Sequence, residues 1–206
     1  MITNPIDLYS KFLSDYKLSE LILCDLHKPC NKVLGHRCAA VLAHRVINFD
    51  EVKTKYQRGK KGPQKASVDG FTYKDKLFCF VELKGWTDFL AFHTNPDTLK
   101  TEIKEQADKY DLNKKLIDSM LICQDVAENT NLFNDNPAAF ILVTDIDVDE
   151  DGTMDFYSDL MSLSETSTNW EVICSRELKG KLSILPSTIS TYYIKCQHFD
   201  KTLSKI

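Results

Sequence analysis

Residues 66–84 read ASVDGFTYKDKLFCFVELK, and this segment decides the fold. It contains two runs rich in β-branched and aromatic residues, ASVDGFTY and LFCFVELK, separated by Lys74-Asp75-Lys76, which is typical of a β-hairpin. If Asp75 and Lys76 form a two-residue turn, the numbers of paired residues sum to 151. The pattern therefore predicts that Asp69 lies directly opposite Glu82.

The predicted hairpin brings two acids and a lysine together. Glu82 and Lys84 share one face of their strand because side chains alternate along a strand. Residues directly opposite each other lie about 4.5–5.5 Å apart at Cβ, close enough for Asp69 and Glu82 to bind one divalent cation. Two acids within an apolar sheet repel each other and resist ionisation unless a cation compensates them. We therefore predict a Mg²⁺ or Mn²⁺ site formed by Asp69, Glu82 and the main-chain carbonyl of Leu83.

The same constellation predicts a reaction. A cation at this position would polarise a scissile phosphate. Lys84 would orient or help deprotonate the attacking water and stabilise charge in the transition state. The expected activity is hydrolysis of a phosphodiester, with Asp69, Glu82 and Lys84 as the catalytic residues. The alternative is that Glu82 and Lys84 face solvent as an ion pair.

Hydrophobic periodicity outlines the rest of the chain. We expect helices from Asn4-Pro5 onward, over Val33–Ile47, from Asn95-Pro96 to about Glu128, and in the tail from Ser187. We expect further strands at Ala138–Thr144 and Trp170–Cys174. The order of these elements predicts a single α/β domain over residues 1–206.

Composition narrows the classes of protein to consider. The formal net charge is −4, so nucleic-acid binding must rest on a local basic patch. No run of eighteen apolar residues exists and the N-terminus lacks signal-peptide features, so we expect no membrane span. The seven cysteines include no C-x-x-C pair, which favours free thiols in a cytoplasmic protein.

Asp69 followed by Glu82-Leu83-Lys84 resembles the signature of the PD-(D/E)XK nuclease superfamily, with Val68-Asp69 in place of the frequent Pro-Asp. Downstream, Gln106-Ala107-Asp108-Lys109-Tyr110 is similar to the Gln-x-x-x-Tyr element of its RecB-like branch. The resemblance covers residues 33–145. It implies a restriction-endonuclease-like fold with a central mixed β-sheet flanked by helices, and it implies that Gln106 and Tyr110 engage substrate.

The resemblance also implies a metal ligand upstream of the hairpin, where the family often places a histidine or glutamate. His36 is our first choice for this ligand and His44 is the other histidine on the same predicted helix. Glu20 and Asp50 are further alternatives.

The segment KTKYQRGKKGPQK, residues 53–65, contains six cations and no acid, and it precedes the hairpin. It predicts a mobile loop that contacts substrate phosphates, unless it is only a solubilising loop. The substrate-binding candidates from this segment are Lys53, Lys55, Arg58, Lys60 and Lys61.

The acidic stretch Asp147–Asp155 matches most of a calcium-binding loop of EF-hand type. The twelfth position of this pattern is Ser158, where a bidentate glutamate belongs. We therefore favour an acidic turn over a Ca²⁺ site here.

Together these features predict a Mg²⁺- or Mn²⁺-dependent nuclease, with DNA favoured over RNA. The resemblance suggests a defence or mobile-element nuclease that acts with a protein partner or as a homo-oligomer. One alternative is a catalytically inactive subunit of the same fold that binds nucleic acid or another protein. Another is a viral cap-snatching type of RNA endonuclease, whose order of site residues is matched by His36, Asp50, Asp69, Glu82 and Lys84.

Overall fold

A six-stranded mixed sheet lies at the centre of the structure. The structure is a computed structural model that describes residues 1–26, 43–148 and 169–206, and we number its elements along these ranges. The strands are β1 (Leu21–Ile22), β2 (Arg45–Asn48), β3 (Gly70–Lys74), β4 (Leu77–Lys84), β5 (Ala138–Thr144) and β6 (Ser190–Lys195). The helices are α1 (Pro5–Ser14), α2 (Leu23–Leu26), α3 (Phe49–Gln57), α4 (Thr87–Phe92), α5 (Pro96–Asp108), α6 (Leu112–Ala127), α7 (Trp170–Leu182) and α8 (Phe199–Leu203), with a 3₁₀ turn at Cys196–His198.

The strands lie in the sheet in their chain order, β1 to β6. The first four strands pair antiparallel, whereas β4 pairs with β5 and β5 with β6 in parallel. A parallel pair needs a crossover connection, and α4, α5 and α6 supply it between β4 and β5. The predicted α/β class with a mixed sheet flanked by helices is therefore confirmed.

The hairpin has the predicted register. Gly70 pairs with Val81 and Lys74 with Leu77, so the residue numbers sum to 151 and the two-residue turn is correct. Asp75 adopts a left-handed φ of 51° in that turn, a conformation that aspartate tolerates better than most side chains. β3 begins at Gly70, which places Asp69 immediately before the strand.

The two faces of the sheet are covered by two separate cores. Phe78 and Phe80 point into the larger core, formed with residues of α1, α3, α5, α6 and α7. Cys79 and Val81 point into the smaller core, to which α2 and α8 contribute. Because side chains alternate along β4, Glu82 continues the row of Phe78 and Phe80 into the larger core, and it is fully buried.

Two of the predicted helices are wrong in extent. The end of the predicted helix Val33–Ile47, residues 45–47, lies in β2, because Val46 and Ile47 pack on opposite faces of the sheet. Residues 33–42 lie outside the described ranges. The predicted helix reaching Glu128 is broken into α5 and α6. The break occurs because Asp111 caps a new helix by accepting a hydrogen bond from Lys114 N.

Three other assignments also need correction. Trp170–Cys174 is the start of α7, since Asn169 caps it by accepting from Val172 N. The tail from Ser187 contains strand β6, which pairs with β5, before it becomes helical at Phe199. Residues 53–57 of the predicted loop belong to α3, which begins after the cap Asn48.

Two predictions from composition can be compared with the described residues. No helix among them is long and apolar enough to cross a membrane. Cys79, Cys123 and Cys174 are buried free thiols, as predicted. Cys30 and Cys38 lie outside the described ranges.

The cap of α6 can be tested directly. We expect Asp111→Ala to lower the free energy of unfolding by about 1 kcal/mol, because it leaves main-chain N–H groups of the first turn without an acceptor. Urea denaturation measures the loss. Asp135→Ala, at an exposed position between α6 and β5, is the control and should change stability by less than about 0.5 kcal/mol. Equal losses in the two variants would contradict a capping role.

Candidate active site

Glu82 is the buried centre of a charged cluster at the end of β4. Its Oε1 accepts hydrogen bonds from Nζ of Lys84 and from Nζ of Lys115, the latter at 2.6 Å. The side chain of Glu82 is 0% exposed, whereas those of Lys84 and Lys115 are 11% and 27% exposed. Oε2 of Glu82 is buried and has no hydrogen-bond partner among the described residues. One carboxylate oxygen of the buried pair therefore lacks a donor within the described ranges.

Asp69 lies beside Glu82, as the hairpin register predicted. Its Oδ2 accepts a hydrogen bond from Leu83 N at 2.7 Å, which ties the carboxylate to the neighbouring strand. Its Oδ1 lies 3.8 Å from Nζ of Lys115. The main-chain carbonyl of Asp69 accepts from Phe49 N, so the start of α3 is held at the same corner.

The electrostatics of the cluster follow from this packing. Burial raises the pKa of Glu82, and the nearby Asp69 raises it further, while Lys84 and Lys115 oppose both effects. Burial alone would lower the pKa of Lys115, but the attraction of Glu82 and Asp69 outweighs it, so this pKa lies above its usual range. Lys115 therefore stays protonated and bridges the two carboxylates.

Lys115 is a site residue that sequence analysis missed. It lies in the first turn of α6, between Leu112 and Leu116, which are both fully buried. The sequence does contain a signal for a buried lysine. Lys115 falls within the apolar stripe of the helix, whereas an exposed lysine would lie outside that stripe. The signal was hidden because the start of α6 at Asp111 was not anticipated.

Gln106 and Tyr110 meet at the edge of this cluster. Nε2 of Gln106 donates to Oη of Tyr110 at 3.0 Å, although Tyr110 lies just beyond the end of α5. Nζ of Lys84 lies 4.7 Å from the centre of the Tyr110 ring. Trp86 is fully buried and packs edge-on against Phe89 and Tyr110.

Two of the candidates for an upstream ligand, His44 and Glu20, have their partners away from the two acids. His36, our first choice, lies outside the described residues. Nδ1 of His44 lies 3.3 Å from Oδ1 of Asp200 in α8, on the smaller-core side of the sheet. Glu20 lies beside Tyr9 and contributes to the raised pKa of that phenol, after burial.

Asp50 is the upstream acid nearest to the cluster. Its Oδ1 accepts hydrogen bonds from Nζ of Lys53 at 2.7 Å and from Oγ of Ser67. Burial raises the pKa of Asp50, but these two hydrogen bonds outweigh it and leave the pKa below its usual range. Lys115 is close enough to attract Asp50 as well. Asp50 is therefore an ionised neighbour of the cluster whose Oδ1 is already bound.

The basic segment is divided between α3 and the chain that follows it. Lys53 pairs with Asp50, and Nζ of Lys55 donates to the main-chain carbonyls of Tyr16 and Lys17. Because both lysines are already bound within the protein, their predicted contact with substrate is not favoured.

The remaining cations of this segment are more exposed. Arg58, Lys60 and Lys61 are at the surface, and Nζ of Lys60 lies 3.4 Å from the centre of the Tyr56 ring. The hydroxyl of Tyr56 donates to Asp125. Lys60 and Lys61 line an open recess beside α6.

The predicted Ca²⁺ loop lies largely outside the described residues, which end at residue 148 on this side. Its first acid, Asp147, is described. Its Oδ1 accepts a hydrogen bond from Nζ of Lys195 at 2.6 Å.

The donor set at Glu82 suits Mg²⁺ or Mn²⁺. These ions are bound by oxygen and commonly use one or two carboxylates together with water and substrate phosphates. Asp69 and the unpartnered Oε2 of Glu82 provide such oxygens, and the Leu83 carbonyl accepts from Lys84 Nζ at 3.2 Å beside them. No group of three or more histidine, cysteine or acidic side chains suited to a metal occurs within the described part of the chain. Within the described ranges, Asp69 and Glu82 are therefore two side chains that could hold such an ion.

None of the protein-family models, curated proteins or solved structures compared with the chain matches it.

The coupling between Glu82 and Lys115 can be measured. We expect Lys115→Met to lower the free energy of unfolding by about 2 kcal/mol, because it leaves a buried carboxylate with one fewer partner. Urea denaturation of Lys115→Met, Glu82→Gln and the double variant forms a double-mutant cycle. The loss of unfolding free energy in the double variant should be smaller than the sum of the two single losses by at least about 1 kcal/mol.

The control for this cycle is Lys114→Met. Lys114 is exposed and pairs with Asp118 on the helix surface, so its loss should cost less than about 1 kcal/mol. Additive effects of the Glu82 and Lys115 substitutions would show that the two side chains do not interact.

Proposed function

We propose that the protein is a metal-dependent nuclease. The observation that carries the proposal is a fully buried glutamate, one of whose oxygens has no partner in the part of the chain that the structure describes, beside a second carboxylate and a lysine of the same strand. Burying such a group is costly unless it binds something. Perturbed, buried carboxylates of this kind occur preferentially at functional sites.

Asp69 and Glu82 would hold Mg²⁺ or Mn²⁺ in the proposed enzyme. When bound, the ion supplies Lewis-acid activation of a phosphodiester. The protein's own contribution is to fix the two carboxylates, one by the hydrogen bond from Leu83 N and the other by the two lysines.

Lys84 and Tyr110 would act on the substrate side of the site. Nζ of Lys84 donates to Glu82 and to the Leu83 carbonyl and lies beside the Tyr110 ring, so its third N–H is oriented. We infer that this N–H contacts the attacking water or a phosphate oxygen, and that the ammonium charge stabilises the negative charge that develops there. Tyr110, fixed by Gln106, would limit how a nucleotide approaches Lys84.

The wider fold supports this proposal by analogy. A mixed sheet with helices on both faces agrees with the restriction-endonuclease-like architecture that the resemblance implies. We propose DNA as the favoured substrate on the same basis.

Cleavage assays test the proposal directly. The substrates are labelled single- and double-stranded DNA and RNA. With Mn²⁺ or Mg²⁺, we expect the wild-type protein to cleave DNA faster than RNA, and a chelator to abolish cleavage. Glu82→Gln, Asp69→Asn and Lys84→Met should each reduce the rate at least about 100-fold, because each removes a group that positions or stabilises charge. Circular dichroism checks that each variant is folded.

The control for these assays is Lys76→Gln in the exposed hairpin turn, which should leave the rate unchanged. Cleavage that survives both Glu82→Gln and Lys84→Met would contradict the proposal.

A second candidate function is nucleic-acid binding without catalysis. The observation that favours it is the charge balance of the cluster. Lys84 and Lys115 already compensate Glu82 and Asp69, so these acids do not need a metal ion to be tolerated. In this alternative the two lysines stabilise the fold and the site hydrolyses nothing.

Metal binding separates the two candidates. If the protein is a metal-dependent nuclease, the wild-type protein must bind Mn²⁺. Electron paramagnetic resonance detects this binding as a loss of the free-ion signal. Asp69→Asn and Glu82→Gln should weaken this binding at least about tenfold, since each removes a charged oxygen ligand. Lys115→Met should retain or tighten it, because the ammonium group no longer competes for the carboxylates. Absence of Mn²⁺ binding by the wild-type protein, both alone and with a single-stranded oligonucleotide added, would favour the second candidate.

A further inference from the structure

A recess of about 490 Å³ lies between α6 and the segment after α3. Its volume falls in the range of sites that hold small ligands. The side chains that carry its chemistry are Tyr56, Lys60, Lys61, Lys65, Lys114 and Asp118. None of these residues belongs to the carboxylate cluster described above.

The recess is strongly basic although the protein as a whole is acidic. Its lining contains four lysines and one carboxylate, a formal charge of 4 − 1 = +3, in a chain whose formal charge is −4. The carboxylate, Asp118, already accepts hydrogen bonds from Lys114 Nζ at 2.6 Å and from Ala66 N at 2.7 Å. The recess therefore favours a ligand with several negative charges.

The recess is joined to the carboxylate cluster by two short stretches of chain. Residues 66–69 run beside α6, with Ala66 N bound to Asp118 and Val68 N bound to Oγ of Ser119 at 3.0 Å. Four residues span at most about 14 Å, so Lys65 lies within that distance of Asp69 at Cα. On α6, Lys114 lines the recess while the next residue, Lys115, binds Glu82.

We propose that this recess binds the phosphate backbone of a single-stranded nucleic acid next to the bond to be cleaved. The ligand class rests on the proposed function, and the recess adds the strand preference. A duplex is broader than its major groove, which alone is about 12 Å wide, and a recess of about 490 Å³ is too small to admit it. A single strand enters such a space, whereas a duplex lies across its mouth.

Tyr56 and Lys60 supply the second element of single-strand binding. Lys60 covers one face of the Tyr56 ring, and the ring is anchored through its hydroxyl to Asp125. A phosphate that draws Lys60 away uncovers an aromatic face on which a base can stack. Basic grooves with such stacking platforms bind single strands with little sequence preference.

This inference revises the predicted set of substrate-binding residues. Lys60 and Lys61 are kept, and Lys65 and Lys114 are added. Lys53 and Lys55 are removed, because they bind Asp50 and the carbonyls of Tyr16 and Lys17.

The test measures binding without hydrolysis. Glu82→Gln protein in a chelator is titrated into a fluorescently labelled 12-nucleotide single strand of mixed sequence, and anisotropy gives the affinity at several salt concentrations. Each phosphate contact contributes about 0.7 to the slope of log affinity against log salt for a single strand. We expect Lys65→Gln/Lys114→Gln in this background to reduce the slope by about 1.4 and the affinity at 0.1 M salt roughly tenfold.

The matched control is Lys201→Gln/Lys205→Gln in the same background. It removes the same charge near the C-terminus, where α8 packs on the opposite face of the sheet, and should leave the slope unchanged. Equal losses in the two double variants would show a general charge effect and overturn the inference.

Other results would also overturn the proposed strand site. These are an absence of binding, tighter binding of the same sequence as a duplex, and equally effective competition by polyglutamate. The outcome is independent of the proposed reaction, because hydrolysis is disabled. If the strand binds with the expected slopes but the wild-type protein cleaves nothing, the strand site is supported and the nuclease function is refuted. If the wild-type protein cleaves and Lys65→Gln/Lys114→Gln leaves the rate unchanged, the nuclease function is supported and the strand site is refuted.

Discussion

The burial of one carboxylate at the end of β4 is the constraint on which the site depends. Glu82 occupies the position that follows Phe78 and Phe80 on the larger-core face, where water does not reach it. An ionised group there needs partners of opposite charge. One partner, Lys84, comes from the same strand two residues later, and the other, Lys115, comes from a helix 33 residues away. The cluster therefore links local strand geometry to the packing of the crossover helices.

The crossover between β4 and β5 has two roles in this arrangement. Parallel pairing of these strands requires a long connection over one face of the sheet, and α4, α5 and α6 form it. The same connection turns at residues 109–111, so that Tyr110 reaches Lys84 and Asp111 caps the turn that carries Lys115. The connection that permits the sheet topology thus also completes the charged cluster.

Sequence reasoning succeeded where the structure is determined by neighbours in the chain. The hairpin register and the position of Asp69 beside Glu82 both follow from turn length and period. It failed where a short apolar run fits a helix and a strand equally well. Residues 45–47 were predicted as helix but form a strand, because they are buried against the sheet. Residues 170–174 were predicted as a strand but begin a helix, because Asn169 caps it. Lys115 was missed for a related reason, since its role exists only once α6 packs against β4.

The charges of the cluster and of the basic recess point to one physical consequence. Asp69, Glu82, Lys84 and Lys115 sum to a formal charge of zero, so a divalent cation added there would bring a net charge of +2. The recess that begins at the neighbouring Lys114 already carries +3, which disfavours that cation in the absence of an anion. A polyanionic strand in the recess would offset this repulsion and free the lysines to contact phosphate. Cation and strand should therefore bind cooperatively, and each should raise the affinity of the other by the same factor.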